Sequence, residues 1–448
     1  MRKICAVLIL LFLTSTAYGF EIVYPKSKNV TIASPTTFFI GSSKEPVTIN
    51  GENIKLHPTG GFAYFVKLKS GVNEFTVKSS QKTEIYKITQ KRNYYTNANS
   101  MFISYKTVKP LVVITQNTPL RSTPVDGGIN RISHLQKGIL LIADGEKGNF
   151  FRVKLNDSKY GWISKKNVSE TTAYTPAKVK KYSFSETNSD YILTFELDKK
   201  VPFEINAGNS IELNFYNTEN EKHYSFPYYE KTGSKKLWGY NGDYNGNIFT
   251  LKIRKPPVIN RRKTLSGITV AVDAGHGGAE KGAIGCLGDK EKDVVLKIAK
   301  YLEKELKERG ANVVMTRSDD VAVGLNERVE IVNKNDSIFF VSIHNNALPD
   351  TLNPNEHRGT SIYYYYNESK PFAQAMLDTL TEELGTKNDN LHQQSFVVVR
   401  NTLALSILIE IAYLINPDDN ALLVSEEFQK KAAKAIADGI EKYIQNSV

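Results

Sequence analysis

Cysteine is nearly missing from this chain of 448 residues: Cys5 and Cys286 are the only two. A small scaffold stapled by disulfides is therefore excluded. Long apolar runs are missing too, since beyond the first residues no stretch approaches the roughly 18 needed for a membrane-spanning helix. There is no clean internal repeat and no short zinc motif of the H-E-x-x-H kind. With 41% hydrophobic and 23% charged residues, 29 Gly and 16 Pro, the balance also excludes collagen, intrinsic disorder and a coiled coil. What remains is a globular chain that, at roughly 100–200 residues per domain, makes two to four domains.

The N-terminus is the one apolar exception. Arg2 and Lys3 precede the run Ile4–Thr14, and Ala17-Tyr18-Gly19 sets small residues at a cleavage site. Residues 1–19 are thus expected to be a secretory signal peptide, and the protein to be exported to a periplasm or to the cell wall and beyond. Its removal leaves Cys286 as the only thiol and no transmembrane segment in the mature chain. Charge is unevenly spread. The residues from Leu265 onward sum to −8, which leaves +19 on residues 1–264 for a total of +11. A basic front half on an exported chain suggests an anionic surface partner. Nucleic acid is a poor candidate outside the cell, whereas an envelope polymer rich in carboxylate or phosphate, or a regulatory envelope protein, is a good one; lysine used for solubility is the plain alternative.

Strand patterning fills the front half. Residues 20–105 alternate apolar and polar positions in VTIAS, FAYFVKL, NEFTVKS and TEIYKITQ, which predicts a β-sandwich-like domain. Residues 110–170 carry short strands separated by Asp-Gly-Gly, Lys-Gly and Asp-Ser-Lys-Tyr-Gly turns, which predicts a small barrel. Residues 178–257 (YSFSE, YILTFEL, SIELNFY, NIFTLKIR) predict a third β-rich domain, followed by a basic, proline-containing linker. From residue 265 to 448 strands and helices alternate. GITVAVDAG, ANVVMTR, SIFFVSIHN, TSIYYYY, SFVVVRN and SILIEIAYL read as strands, and Lys290–Arg309, Leu325–Asn333 and segments near 371–385 and 426–444 as helices. The expected fold is an α/β catalytic layer with a mixed sheet flanked by helices. Sites collect at strand ends in such sheets.

Four of the seven histidines lie in the last 173 residues. His276 follows the strand of VAVDAGHGG, and His344 ends the strand of FFVSIH. Each alone reads as a hydrogen-bonded surface histidine, but two in equivalent strand-end positions weaken that reading. Glu291 opens a helix and by itself fits a residue near the N-terminal dipole. Glu410 is the anomaly. It stands inside LSILIEIAYLI, where a carboxylate must be paired, metal-linked or pushed toward its protonated form. Two imidazoles and two carboxylates make the inventory of a hydrolytic zinc site, although spacings of 15 and 53 residues match no local motif.

Two resemblances add to this. The order Pro119-Leu120-Arg121, Leu135-Gln136-Lys137-Gly138, Phe151-Arg152-Val153 and Gly161-Trp162-Ile163 resembles bacterial SH3 domains, which implies binding of cell-wall peptides; Trp162 and Phe151 are either a ligand platform or core. DAGHGGAEKGAIG, GDKEKDVVLKIAKYLEKELKERGANVVMTRSDD, LNERVEIVN, FVSIHNNA, GTSIYY and ILIEIAYLINPDD closely resemble the zinc-dependent N-acetylmuramoyl-L-alanine amidases, which cut peptidoglycan between the lactyl group of N-acetylmuramic acid and L-alanine of the stem peptide. The resemblance runs over 266–445. It implies Zn2+ held by His276, Glu291 and His344, with Glu410 as the catalytic carboxylate. Asn346, Arg317, Arg328 and Arg400 also fall on family positions, and Asn346 and Arg400 are taken as substrate contacts. Asp273-Ala274-Gly275-His276 departs from the usual Asp-Pro-Gly-His without losing a ligand. Another zinc peptidoglycan hydrolase (a carboxypeptidase or endopeptidase) and a non-catalytic wall-binding protein are the alternatives. With 65 residues between His344 and Glu410, no built-in helical plug is expected.

Overall fold

The alternation in the front half is resolved into paired sheets by a computed structural model, which describes residues 19–91, 101–172, 174–234 and 236–447. The expected signal peptide lies outside the described residues except for Gly19. In Gly71–Lys78, Phe75 and Val77 point inward while Glu74 and Lys78 face water, as a half-buried strand requires. This strand belongs to a five-stranded sheet that faces a three-stranded one of Phe20–Tyr24, Thr36–Ser43 and Gly61–Lys67. Phe39, Ile49, Phe62, Val77 and Ile88 fill the space between them.

A seven-stranded sheet follows. Its longest strand, Ile103–Val113, pairs Ser104 with Gly145 and Leu111 with Leu141. Phe151 packs on the core, and Trp162 lies edge-on to Phe102 at 6.0 Å. The third β segment forms a four-stranded and a three-stranded sheet. Phe195, Phe203, Phe215 and Phe249 meet between them, with Phe203 and Phe249 4.7 Å apart and Phe215 and Phe249 5.0 Å apart. One contiguous hydrophobic core runs through the second and third segments, from Leu111 to Ile253.

The last segment is a six-stranded mixed sheet in the order Asn312–Met315, Thr269–Ala274, Phe339–Asn346, Leu405–Tyr413, Thr360–Tyr364, Asn388–Gln393. The first four strands run parallel, and Thr360–Tyr364 is antiparallel to its central neighbour. Val270, Val272, Val341, Ile343, Ile407 and Ile409 face the helices Glu291–Glu308, Lys370–Leu384 and Glu426–Gln445. Ala271, Phe340 and Leu408 face the other way, toward Val332 of the helix Leu325–Lys334. Continuous apolar strands are what burial on both faces demands.

One expected strand is corrected. SFVVVRN folds as a 3-10 turn at Val398–Arg400, with Val398 and Val399 buried against the sheet. The edge position is taken instead by the polar Asn388–Gln393, which needs no buried face of its own.

The β segments are packed onto this layer. Trp238 enters its core 6.1 Å from Phe339 and 6.0 Å from Tyr443. Arg254 pairs with Asp336 at 2.8 Å. From the first unit, the Tyr24 and Thr37 hydroxyls each donate to Asp350 Oδ1 at 2.7 Å, and Phe38 and Ile40 close over Cys286 and Ile415. Among the described residues no helix is long and apolar enough to cross a membrane.

Candidate active site

Three elements converge at one end of the sheet. His276 stands in the turn just past Thr269–Ala274, with a left-handed φ of 60°. That turn must pass very close to the next strand, because a Cβ on Gly275 would lie 2.2 Å from His344 Cε1. Only glycine fits there. Glu291 is the first residue of its helix, and His344 lies near the end of Phe339–Asn346.

Glu291 is the hub. Its Oε2 is 3.0 Å from His276 Nε2 and accepts from the Ala283 N–H at 2.8 Å. Its Oε1 is 2.9 Å from His344 Nδ1 and accepts from the Asn345 N–H at 3.0 Å. Burial alone would raise this carboxyl, but the hydrogen bonds and charges of His276 and His344 hold it well below the usual carboxylate range. One ligand atom from each of His276, Glu291 and His344 falls within 4.8 Å of the others. Two imidazole nitrogens and a carboxylate, on a half-open cluster, are the donor set of a catalytic zinc with one position left for substrate. The residues fit that ion.

The loop carrying His276 is clamped from below. Arg328 donates to Asp273, to the Ala274 carbonyl at 2.8 Å and to the His276 carbonyl at 2.7 Å. Arg317 donates to the carbonyls of Ala274 at 2.8 Å, Gly275 at 2.8 Å and Lys292 at 2.9 Å. Both arginines are buried and position the backbone of the turn; Arg328 also lines the cavity described below. Asp273 is fully employed as well, accepting from Thr316 Oγ1 at 2.5 Å and Ser342 Oγ at 2.6 Å. Sequence reasoning did not single out Asp273. The signal was there, since it is a carboxylate in a buried strand just as Glu410 is.

Glu410 lies in Leu405–Tyr413, in register with His344 on one side and Ser361 on the other. Its Oε2 is buried without a hydrogen-bond partner. Burial, and then the charge of Glu291, pushes its carboxyl well above the ordinary value. A cavity of about 870 Å³ opens over these groups, and His276, Glu291, His344, Asn345, Asn346 and Glu410 all line it. Asn345, which sequence reasoning also missed, is 2% exposed, and both polar atoms of its side chain lack partners. Phe396, Val397 and Val398 form the opposite wall. Arg400 is not among the lining residues; its guanidinium turns back to the Ser395 carbonyl at 2.6 Å. The segment between His344 and Glu410 is used up in strands, one helix and this wall.

The family model for N-acetylmuramoyl-L-alanine amidases matches residues 270–442. A Bacillus subtilis protein, YqiI, is 36% identical over 193 residues, covering 43% of this chain and 93% of that protein. The probable cell wall amidase LytH of Staphylococcus epidermidis is 35% identical over 184 residues, covering 41% of this chain and 60% of LytH. Among solved structures, the N-acetylmuramoyl-L-alanine amidase AmiC2 of Nostoc punctiforme is 38% identical, covering 40% of this chain and 99% of that one, with a TM-score of 0.38. The family model spans the segment that holds the His–Glu–His cluster, and nearly the whole of YqiI, itself uncharacterized, is matched at 36% identity: the chain belongs to the N-acetylmuramoyl-L-alanine amidase family.

Proposed function

We propose that the protein is an exported, zinc-dependent N-acetylmuramoyl-L-alanine amidase that hydrolyses the amide between the lactyl group of N-acetylmuramic acid and L-alanine of the stem peptide. The observation that carries this reading is the pairing of a three-donor cluster with a separate carboxylate. His276, Glu291 and His344 come together within 4.8 Å, while Glu410 sits in register beside His344 with a free buried oxygen.

His276, Glu291 and His344 would hold the zinc. When bound, the ion supplies Lewis-acid polarisation of the scissile carbonyl and makes the attacking water more acidic. Glu410 accepts the proton of that water at its unpartnered oxygen and returns it to the departing L-alanine nitrogen. Its raised affinity for protons suits the second half of that task, the delivery of a proton to the leaving nitrogen. Asn346 and the unsatisfied Asn345 offer the polar contacts that orient the amide. Arg317, Arg328 and Asp273 hold the His276 turn in place while this happens.

Peptidoglycan is the substrate in this reading, and the site of action is the periplasm or the cell wall. Residues 1–19 are its export signal. The sandwich-like 20–105, the SH3-like 110–170 and the β-rich 178–257 precede the catalytic domain at 265–448. The basic front units are proposed to meet an anionic wall polymer or a regulatory envelope protein. The test is digestion of purified murein by the full chain followed by mass spectrometry. Glycans ending in free lactyl groups together with intact stem peptides support the amidase, whereas shortened stem peptides would assign a carboxypeptidase or endopeptidase instead.

A further inference from the structure

Beside the cleft, two domains bring their guanidinium groups to one hydroxyl. Arg131, on the strand Arg131–Leu135 of the second β unit, donates from Nε to Ser395 Oγ at 3.4 Å, and its backbone N–H donates to the Tyr365 hydroxyl at 3.3 Å. Arg400 donates to the same Ser395 Oγ at 3.3 Å and to the Ser395 carbonyl at 2.6 Å. Arg131 Nη1 lies 3.0 Å from His134 Nε2. A third cation, Arg121, is close by and pairs only with the exposed Asp126, at 3.2 Å. Among the described residues no carboxylate lies within 4.0 Å of Arg131 or Arg400 (ion pairs elsewhere in the chain are many). Burial and then the neighbouring Arg131 charge bring the Arg400 guanidinium down to about 10, and burial with Arg131, Arg400 and Arg121 brings His134 down to about 4.

Three guanidinium groups share a single exposed carboxylate, Asp126, which pairs with Arg121 and acts on Arg131 only at longer range, although buried cations are ordinarily paired one to one. An oxyanion would supply the charge that Arg131 and Arg400 lack. A planar carboxylate suits two guanidinium forks, each able to give two parallel hydrogen bonds. Its source follows from position. Ser395 directly precedes Phe396, Val397 and Val398, which form a wall of the catalytic cavity, and Phe396 is still 40% exposed. Ser395, to which both guanidinium groups donate, is thus the chain neighbour of the cavity wall.

We propose that Arg131 and Arg400 form a composite carboxylate-binding subsite, built across two domains, for an acidic residue of the murein stem peptide. This rests on the amidase reading above and adds a specificity role for the second β unit, which touches substrate through Arg131.

The test uses the zinc-loaded full chain and two soluble muropeptides, one with free stem-peptide carboxylates and one with those carboxylates amidated. Arg131→Gln and Arg400→Gln should each raise KM for the free-acid substrate about ten-fold, the weight of one charged hydrogen-bonded contact, with the loss in KM rather than kcat. Amidation should impose the same penalty on the unaltered chain and abolish the difference between it and the variants. Calorimetric titration with the free stem peptide needs no turnover, so it separates failure of the subsite from failure of the amidase reading. Should a variant not fold, the unaltered chain still decides: equal affinity for free and amidated peptide overturns the proposal. So does an Arg131→Gln defect that survives amidation but disappears on walls stripped of phosphate polymer, which would assign the cations to that polymer.

Discussion

The β-rich front and the α/β layer both bury acids, but they employ them differently. In the front, Glu204 meets Lys159 Nζ at 2.5 Å and the Tyr216 hydroxyl at 2.5 Å, so its charge fastens the third unit to the second. In the α/β layer, Glu410 keeps an oxygen with no partner in the middle of an apolar strand. An unmade buried hydrogen bond costs about 1–3 kcal/mol, a penalty that a fold retains where the group is used. Asp273 shows the contrast within a single sheet, because Thr316, Ser342 and Arg328 satisfy it completely. Residue type does not separate a structural carboxylate from a working one, and a missing partner alone does not either, since Asp190 Oδ1, Glu212 Oε2 and Glu368 Oε1 also lack one. Glu410 differs in lining the cavity together with His276, Glu291 and His344.

Four changes sharpen or break that distinction. The largest effect is expected from Glu291→Ala, which removes a donor and the hub between two histidines; metal content and murein digestion should both vanish, and retained digestion would erase the contrast. Glu410→Gln comes next. It should lower the turnover rate by about 10²–10⁴-fold while zinc content and thermal midpoint stay at parental levels or better. Arg328→Met acts on stability first: it leaves Asp273 charged and buried without its cation, which should cost about 3–5 kcal/mol in urea unfolding.

The smallest effect lies at the boundary with the third β unit. Burial raises the Glu368 carboxyl from 4.5 to about 7, although the Tyr240 hydroxyl opposes this. The folded chain therefore holds this proton more tightly than the unfolded one. Stability associated with Glu368 is full below pH 4.5 and is lost as pH rises through about 7. Glu368→Gln removes that slope and should stabilise the chain at pH 8 by about 2–3 kcal/mol, with little change at pH 4, as read from denaturant midpoints.

Much of the α/β layer was legible because its strands are buried on both faces and read as unbroken apolar runs. His276 and His344 stood out at strand ends, and Glu410 as a charge among leucines and isoleucines. SFVVVRN misled because apolar content alone does not tell a strand from a buried turn. Asn388–Gln393 was invisible because an edge strand of polar residues has no alternation to detect. Arg317 and Arg328 could be placed on family positions, but their work on the backbone of the His276 turn depends on carbonyl directions that no sequence pattern states. The meeting of Arg131 with Arg400 is further out of reach, because it depends on how two domains dock.

Zinc stoichiometry tests the central claim most directly. Elemental analysis of the purified, folded full chain should find one zinc per molecule, still present in Glu410→Gln and gone from His276→Ala and His344→Ala. A chain that cleaves murein while holding no metal, or that keeps its zinc after both histidines are replaced, would contradict the account.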